Sequence, residues 1–272
     1  MNKVGFLGLG INMFSLNPVA FTFFGKDIYW YGIIIAIGFV LAIALCSYLA
    51  PKGGISSDNI YDIVLWATPP AIICARIYYV IFAFDDYKNN LSDIFKIWEG
   101  GIAIYGGIIG AVAAAYIYCR AKKISVKKTF DVCCIGLAVG QCVGRWGNFV
   151  NVEAYGSETA LPWRMAVLKA GMVRMIEVHP TFLYESLWNF MLIFVLMIIL
   201  YRKKFDGEVF ATYVFGYGLG RAMIEGLRTD SLYIGIFRVS QIFALITSAA
   251  ALIYIIKNRI KYSKQDKLHK EN

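Results

Sequence analysis

Charge is scarce in this chain. Asp, Glu, Lys and Arg make up 17% of its 272 residues, against roughly a quarter in a soluble domain. Apolar residues reach 59% with a mean hydropathy of +0.60, more than one soluble core of this size can hide. An ordinary soluble protein, a disordered chain, a collagen-like repeat and a disulfide framework are thereby excluded. Histidine is nearly absent, with His179 and His269 alone, so no zinc site can be assembled. No acidic D-x-x-D pair offers a Mg²⁺ cage, so metal catalysis is not expected and no cofactor is called for. The six cysteines include no C-x-x-C pair and lie in or beside apolar runs, where they read as small buried hydrophobes. The first residues lack a signal-peptide pattern: one Lys, a glycine-broken apolar stretch and no small-residue cleavage site before Asn17-Pro18.

What the chain has instead is long apolar runs. About seven membrane-spanning helices are expected, at roughly 28–50, 59–84, 101–119, 130–147, 181–201, 207–226 and 237–256. Open strands do not survive in hydrocarbon and no alternating barrel pattern is present, so the spans are helical. The net charge of +9 sits in short blocks between the runs, which fits membrane orientation; no nucleic-acid signature accompanies it. Connections 51–59, 120–129 and 202–206 and the tail 257–272 hold 15 Lys/Arg in 40 residues. That bias puts the C-terminus in the cytoplasm and the N-terminus outside. The expected architecture is an all-α integral membrane protein forming a single polytopic domain over 1–272. A small extracytoplasmic element, about 148–180, separates the fourth and fifth spans, with an amphipathic stretch around Trp163–Arg174 lying at headgroup level. A basic cytoplasmic tail, 257–272, closes the chain.

Ionisable groups in or beside spans need partners or a wet cavity. Here they are Arg76, Asp131, Arg145, Glu153, Glu185, Arg221 and Glu225. For Arg76, Asp131 and Glu185, pairing between helices explains them as readily as function does. The densest constellation runs Gly144-Arg145-Trp146-Gly147-Asn148-Phe149-Val150-Asn151-Val152-Glu153-Ala154-Tyr155-Gly156. Arg145 and Asn148 share a helical face, and a guanidinium beside amide donors suits a phosphate. Upstream, Gly136, Gly140 and Gly144 form a flat stripe for a close neighbour helix. In Arg221-Ala-Met-Ile-Glu225-Gly-Leu-Arg228-Thr-Asp230 the i, i+4, i+7 spacing lines up Arg221, Glu225 and Arg228, either as a self-neutralising helix end or as a second cation for the same headgroup cavity. His179-Pro180-Thr181-Phe182-Leu183-Tyr184-Glu185 opens the fifth span. Gly100–Gly110, with Tyr105 among its glycines, reads as close helix packing and leaves the phenol bare to a cavity.

Taken together and in this order, these pieces resemble the bacterial phosphatidylglycerol–prolipoprotein diacylglyceryl transferase family. The resemblance runs from Trp30-Tyr31-Gly32 through Gly100–Gly110, Asp131, the Gly144–Gly156 string and His179–Glu185 to Arg221–Asp230. It implies a seven-helix enzyme of the bacterial plasma (inner) membrane, working at the outer leaflet. Such an enzyme moves the diacylglyceryl group of phosphatidylglycerol onto the lipobox cysteine of prolipoprotein signal peptides, releasing glycerol 1-phosphate, as the first step of lipoprotein maturation. Membrane lipids are its other partners. Many members carry a histidine where this chain has Tyr105, so an obligatory histidine base is not expected here; Tyr105 either hydrogen-bonds substrate or leaves deprotonation to another group.

The expected catalytic set is Arg145, Arg221, Tyr105 and Glu153. Arg145 is first choice for the departing phosphate and Arg221 second, since fixed cations in a low-dielectric cavity stabilise developing charge and lower a nearby thiol pKa. Asn148 and Tyr31 are expected on the headgroup. Glu153 either holds Arg145 or accepts a proton, and His179 either relays a proton through water or opens its helix. Glu225, Asn151 and Gly156 are expected to support the site. Asp131, about 21 Å from Arg145 along a continuous helix, is expected to act electrostatically on the helix N-terminus. The rival readings are a secondary transporter for an anionic solute, which fits poorly without repeat symmetry, and a Mg²⁺-dependent alcohol phosphotransferase, whose acidic cluster is missing.

Overall fold

The computed structural model describes residues 2–88, 90–229, 233–234 and 237–271. Among them, seven long helices match the seven expected runs: α1 (Trp30–Gly53), α2 (Ser57–Phe82), α4 (Ile104–Ala121), α5 (Val126–Val150), α6 (Thr181–Arg202), α7 (Glu208–Glu225) and α8 (Val239–Glu271). A one-turn helix, α3 (Phe84–Tyr87), follows α2. Five of these helices, α1, α2, α4, α6 and α8, are long and apolar enough to cross a membrane. The two that fall short are α5 and α7, and these carry Arg145 and Arg221. Helix ends follow local chemistry: the Ser56 hydroxyl accepts the Asp58 amide at 3.2 Å and caps α2, and Gly207, at φ 97°, turns the chain into α7.

The chain divides into two compact units, Cys46–Phe130 and a larger one made of Met1–Leu45 with Asp131–Asn272. In the smaller unit α4 lies close on α2. A Cβ at Gly106 would come 2.6 Å from Tyr78 Cβ, and one at Gly110 would come 2.8 Å from Cys74 Cβ, so the small residues permit this approach. Arg76, 6% exposed, donates to the carbonyls of Asp93 and Ile94, each at 2.7 Å, and to those of Gly100 and Gly101 at 2.7 and 2.8 Å. Pairing, not catalysis, accounts for that buried charge: one guanidinium satisfies four loop carbonyls.

The larger unit holds a sheet that the sequence does not announce. Its strands β1 (Asn2–Phe6), β2 (Ile11–Leu16), β5 (Met165–Leu168) and β6 (Ile176–Val178) run antiparallel in the order β2-β1-β5-β6. The expected amphipathic stretch around Trp163–Arg174 is thus corrected to a strand and its turn, so the protein is mostly rather than purely helical. Val4, Met165, Val167 and Val178 come from one face of the pleat and pack with Val152 and Phe182, at the end of α5 and the start of α6. A hairpin, β3 (Val19–Phe23) and β4 (Lys26–Tyr29), leads into α1, and β7 (Tyr233–Ile234) pairs with β8 (Phe237–Arg238) before α8.

Two glycines of the expected Gly136-Gly140-Gly144 stripe meet α1: Gly144 lies against Ile35, and a Cβ at Gly38 of α1 would come 3.8 Å from the Gly140 Cα. Past the stripe, a Cβ at Gly147 would be 2.8 Å from the Tyr31 ring.

Candidate active site

Of the charges that the sequence singles out in the larger unit, all but Asp131 gather at one end of α5, α6 and α7. Glu185, at the start of the second turn of α6 and 3% exposed, is the hub. Its Oε2 pairs with Arg145 Nη2, and its Oε1 lies 3.2 Å from Arg221 Nη1 and 3.3 Å from Arg228 Nη1. Arg221 Nη2 also meets Glu225 Oε2 at 2.6 Å. Three guanidiniums therefore share two buried carboxylates. The side chains of Glu185 and Glu225 are 4% and 2% exposed, while those of Arg145 and Arg221 keep 21% and 20% of their surface open. Such an arrangement buries the anions, which the arginines compensate, and leaves the arginine side chains partly open.

Asn148 and Glu153 extend the network. Arg145 Nη1 donates to Asn148 Oδ1 at 3.1 Å, and Asn148 Nδ2 donates to Glu153 Oε1 at 2.8 Å. Of the two roles expected for Glu153, holding Arg145 is nearer to what is seen, although it does so through Asn148. The backbone brings the carboxylate back to the helix it has left. The Glu153 amide bonds Asn148 O and the Val152 amide bonds Phe149 O, each at 3.0 Å, the two bonds of a Schellman end. Val152 occupies the left-handed position at φ 52°, and Ala154 follows at φ 54°. A β-branched residue is seldom found there, and such strain collects where surrounding structure over-determines the chain. Asn151, in the same turn, donates its amide to Gly147 O at 3.1 Å.

Gly156 brings the third segment in. Its amide bonds His179 O at 2.9 Å, the neighbouring Ser157 amide bonds Leu227 O at 2.7 Å, and Gly156 bridges to Arg228. A Cβ at Gly156 would stand 2.7 Å from His179 Cβ and 2.9 Å from Leu227 O, so only glycine lets these backbones close. This corrects one expectation. Arg221 and Glu225 share the helical face, but α7 ends at Glu225, and Arg228 reaches Glu185 from the turn beyond. Asp230 lies outside the described residues.

His179 is tied elsewhere: its Nδ1 is 3.3 Å from the Tyr184 hydroxyl, which also accepts from Trp163 Nε1 at 2.8 Å. Tyr31 rests on Gly147, one residue from Asn148. Tyr105 belongs to the smaller unit, where it is 63% exposed with its ring 6.4 Å from that of Tyr78. Asp131 acts on a helix N-terminus as expected, but on that of α7 rather than its own. Its carboxylate accepts the Gly207 and Phe210 amides at 2.9 and 3.0 Å and pairs with Lys203 at 3.1 Å. Burial works to lower the Lys203 pKa, yet Asp206 and Asp131 outweigh it and hold it above the ordinary value.

Glu185 is the functional candidate that the site reading passes over. The signal was present, because three arginines at span ends need a carboxylate and Glu185 opens a span opposite them. Among the described residues no group of three His, Cys, Asp or Glu could hold a metal ion.

Five long apolar helices define a membrane protein, and the arginine-rich, carboxylate-anchored cluster is its candidate site. Comparison with known proteins narrows this. Residues 18–257 match the family model for prolipoprotein diacylglyceryl transferase. The chain is 47% identical over 252 residues to the phosphatidylglycerol–prolipoprotein diacylglyceryl transferase of Finegoldia magna, covering 92% of this chain and 97% of that protein. It is 45% identical over 238 residues to the protein of that name from Clostridioides difficile, covering 88% and 94%, and 46% identical over 272 residues to the one from Listeria innocua, covering 96% and 98%. The chain belongs to the prolipoprotein diacylglyceryl transferase family.

Proposed function

We propose that this protein transfers the diacylglyceryl group of phosphatidylglycerol to the lipobox cysteine of prolipoproteins and releases glycerol 1-phosphate. Family membership supplies the reaction class. The observation that carries the mechanism is the convergence of Arg145, Arg221 and Arg228 on Glu185, with the side chains of Arg145 and Arg221 partly open. A phosphodiester is a single negative charge with several acceptor oxygens, and it complements three guanidiniums that share two carboxylates.

In the reaction the cysteine sulfur attacks the glyceryl carbon next to the phosphate. The S–C bond forms, the C–O bond to phosphate breaks, the phosphate monoester carries off the electron pair, and the thiol proton is released. An unperturbed thiol has a pKa of about 8.5, so the protein's first task is to favour the thiolate, which the arginine field does. Its second is to stabilise charge gathering on the leaving phosphate, for which Arg145 and Arg221 are pre-positioned by Glu185 and Glu225 and need little reorganisation. Glu153 fixes Asn148, and Asn148 fixes Arg145. Tyr31 borders the headgroup, and His179 opens α6 rather than serving as base. Asn151 and Gly156 shape the turn that brings Glu153 and Arg228 in.

The same reading gives a single multi-pass domain of seven spans in the bacterial plasma membrane, N-terminus outside and C-terminus cytoplasmic. α5 and α7 cross despite their charges because those charges are paired. The element at 148–180 and the arginine cluster then face the outer leaflet, and the basic tail 257–272 faces the cytoplasm. The test is direct. Purified protein, labelled phosphatidylglycerol and a lipobox peptide are combined, and the peptide's cysteine is examined for the mass increase. A Cys→Ser peptide is the control, and EDTA is expected not to inhibit. An unmodified cysteine would reject the reading.

A further inference from the structure

A second polar band lies one helical turn from the arginine cluster, and the proposed chemistry does not use it. On α6, four residues past Glu185, Asn189 is 2% exposed. Its Nδ2 donates to the backbone carbonyl of Glu185 at 2.8 Å, which orients the amide, because flipping it would set two oxygens against each other. Its Oδ1 is left buried with no hydrogen-bond partner. Side chains on a helix lean toward its N-terminus, so Asn189 leans toward the cluster. On α5, four residues before Arg145, Gln141 also has a buried, unpartnered Oε1, but this side chain leans toward the N-terminus of α5, away from the cluster. The two helices touch between these layers, where Cys142 Sγ lies 3.3 Å from Ser186 O.

Both orphan atoms are acceptors. The cluster offers donors, which suit phosphate oxygens; a phosphodiester and the ester groups of a lipid are acceptors too and cannot satisfy Asn189. A hydroxyl can. The glycerol of a polyol headgroup reaches about as far from its phosphorus as one helical turn rises, about 5.4 Å. We propose that Asn189 Oδ1 accepts a hydroxyl proton from the headgroup glycerol of the lipid whose phosphate the arginines hold, so that Asn189 selects hydroxyl-bearing headgroups. The inference rests on the function proposed above. A buried polar atom left unpaired by the wrong ligand is an effective basis for rejecting it. Water is the other source of the same donor, and the experiment separates the two.

Phosphatidylglycerol is compared with phosphatidylpropanol of identical acyl chains, which keeps the phosphodiester and lacks the hydroxyls. Each is assayed for transfer to the lipobox peptide and, independently of turnover, for retention by the detergent-solubilised protein in native mass spectrometry. The unsubstituted protein is expected to favour phosphatidylglycerol about tenfold or more. Asn189→Leu is expected to lower phosphatidylglycerol to the level of phosphatidylpropanol while leaving phosphatidylpropanol within twofold, and Gln141→Met, whose side chain leans away from the cluster, to leave the ratio unchanged. Equal retention of both lipids by the unsubstituted protein would overturn the proposal. So would an equal loss on both lipids in Asn189→Leu, which marks a structural role, or an undiminished preference, which marks an ordered water only. Discrimination in retention without transfer would support this inference while sinking the transferase reading.

Discussion

Removing Arg145 and removing Glu185 disturb the same ion pair, yet the structure assigns them opposite consequences. In Arg145→Ala, Glu185 keeps Arg221 at 3.2 Å and Arg228 at 3.3 Å, so no buried carboxylate is orphaned. The stability loss is expected to be about 1 kcal/mol, in the range of a hydrogen bond between protein groups. Transfer loses a pre-positioned cation at the leaving phosphate, for which removal of one such donor costs about 3–4 kcal/mol, a rate loss of about 10²–10³. In Glu185→Gln the side chain keeps its shape, but three guanidiniums lose their shared anion at a site 4% exposed. Stripping one partner from a buried pair costs about 3–5 kcal/mol; with Arg145 and Arg221 a fifth open to solvent, about 3 kcal/mol is expected. Arg145→Ala should therefore be nearly as heat-stable as the parent and inactive, while Glu185→Gln should be markedly less stable. The assays are thermal unfolding of purified protein in detergent and cysteine lipidation of a lipobox peptide at a temperature where both variants are folded. Near-normal lipidation by Arg145→Ala, or equal destabilisation by the two, would refute the reasoning. Arg145→Lys should recover little transfer, because an ammonium cannot bond Asn148 and Glu185 together in the plane of a guanidinium.

Gly156→Ala should cost about 1–3 kcal/mol through overpacking, since its Cβ would press on His179 and Leu227; thermal unfolding checks this, and an unchanged midpoint would contradict the close approach. Tyr105→Phe tests the phenol alone: full transfer activity would remove it from the mechanism. At the other end of α5, Lys203 has its pKa raised in the folded protein by Asp206 and Asp131 against burial. A raised lysine pKa stabilises the folded state fully below the unfolded value of about 10.4 and loses that contribution as pH rises through the folded value. The stability gap between the parent and Lys203→Met should hold from pH 7 to about 9.5 and shrink above about 10.5; a gap that shrinks toward acid instead would show the sign to be wrong.

The helices were legible because their causes are local. Apolar runs, Ser56 as a cap and the Gly207 turn sit within a few residues of what they determine, and the expected spans lie within about five residues of the observed ends, except that α8 runs on through the basic tail to Glu271, fifteen residues past the expected 256. The sheet was not legible, because β5 finds its partner β1 some 160 residues away, and four residues of Met165–Leu168 fit an amphipathic helix as well as a strand. The pairing of Arg145 with Asn148 was read correctly from spacing on one helix. Extending the same argument from Glu225 to Arg228 failed, because spacing carries no information past the end of the helix.

By itself, the sequence determined a mostly helical membrane protein, its resemblance to the family, and the arginines and carboxylates that need partners. Tertiary structure alone decided that Glu185 is the residue on which Arg145, Arg221 and Arg228 converge, that Glu153 acts through Asn148, and that Asp131 serves α7. The reason is physical: a charge in an apolar segment announces that it needs a partner, but the partner is chosen by the packing of helices far apart in the chain.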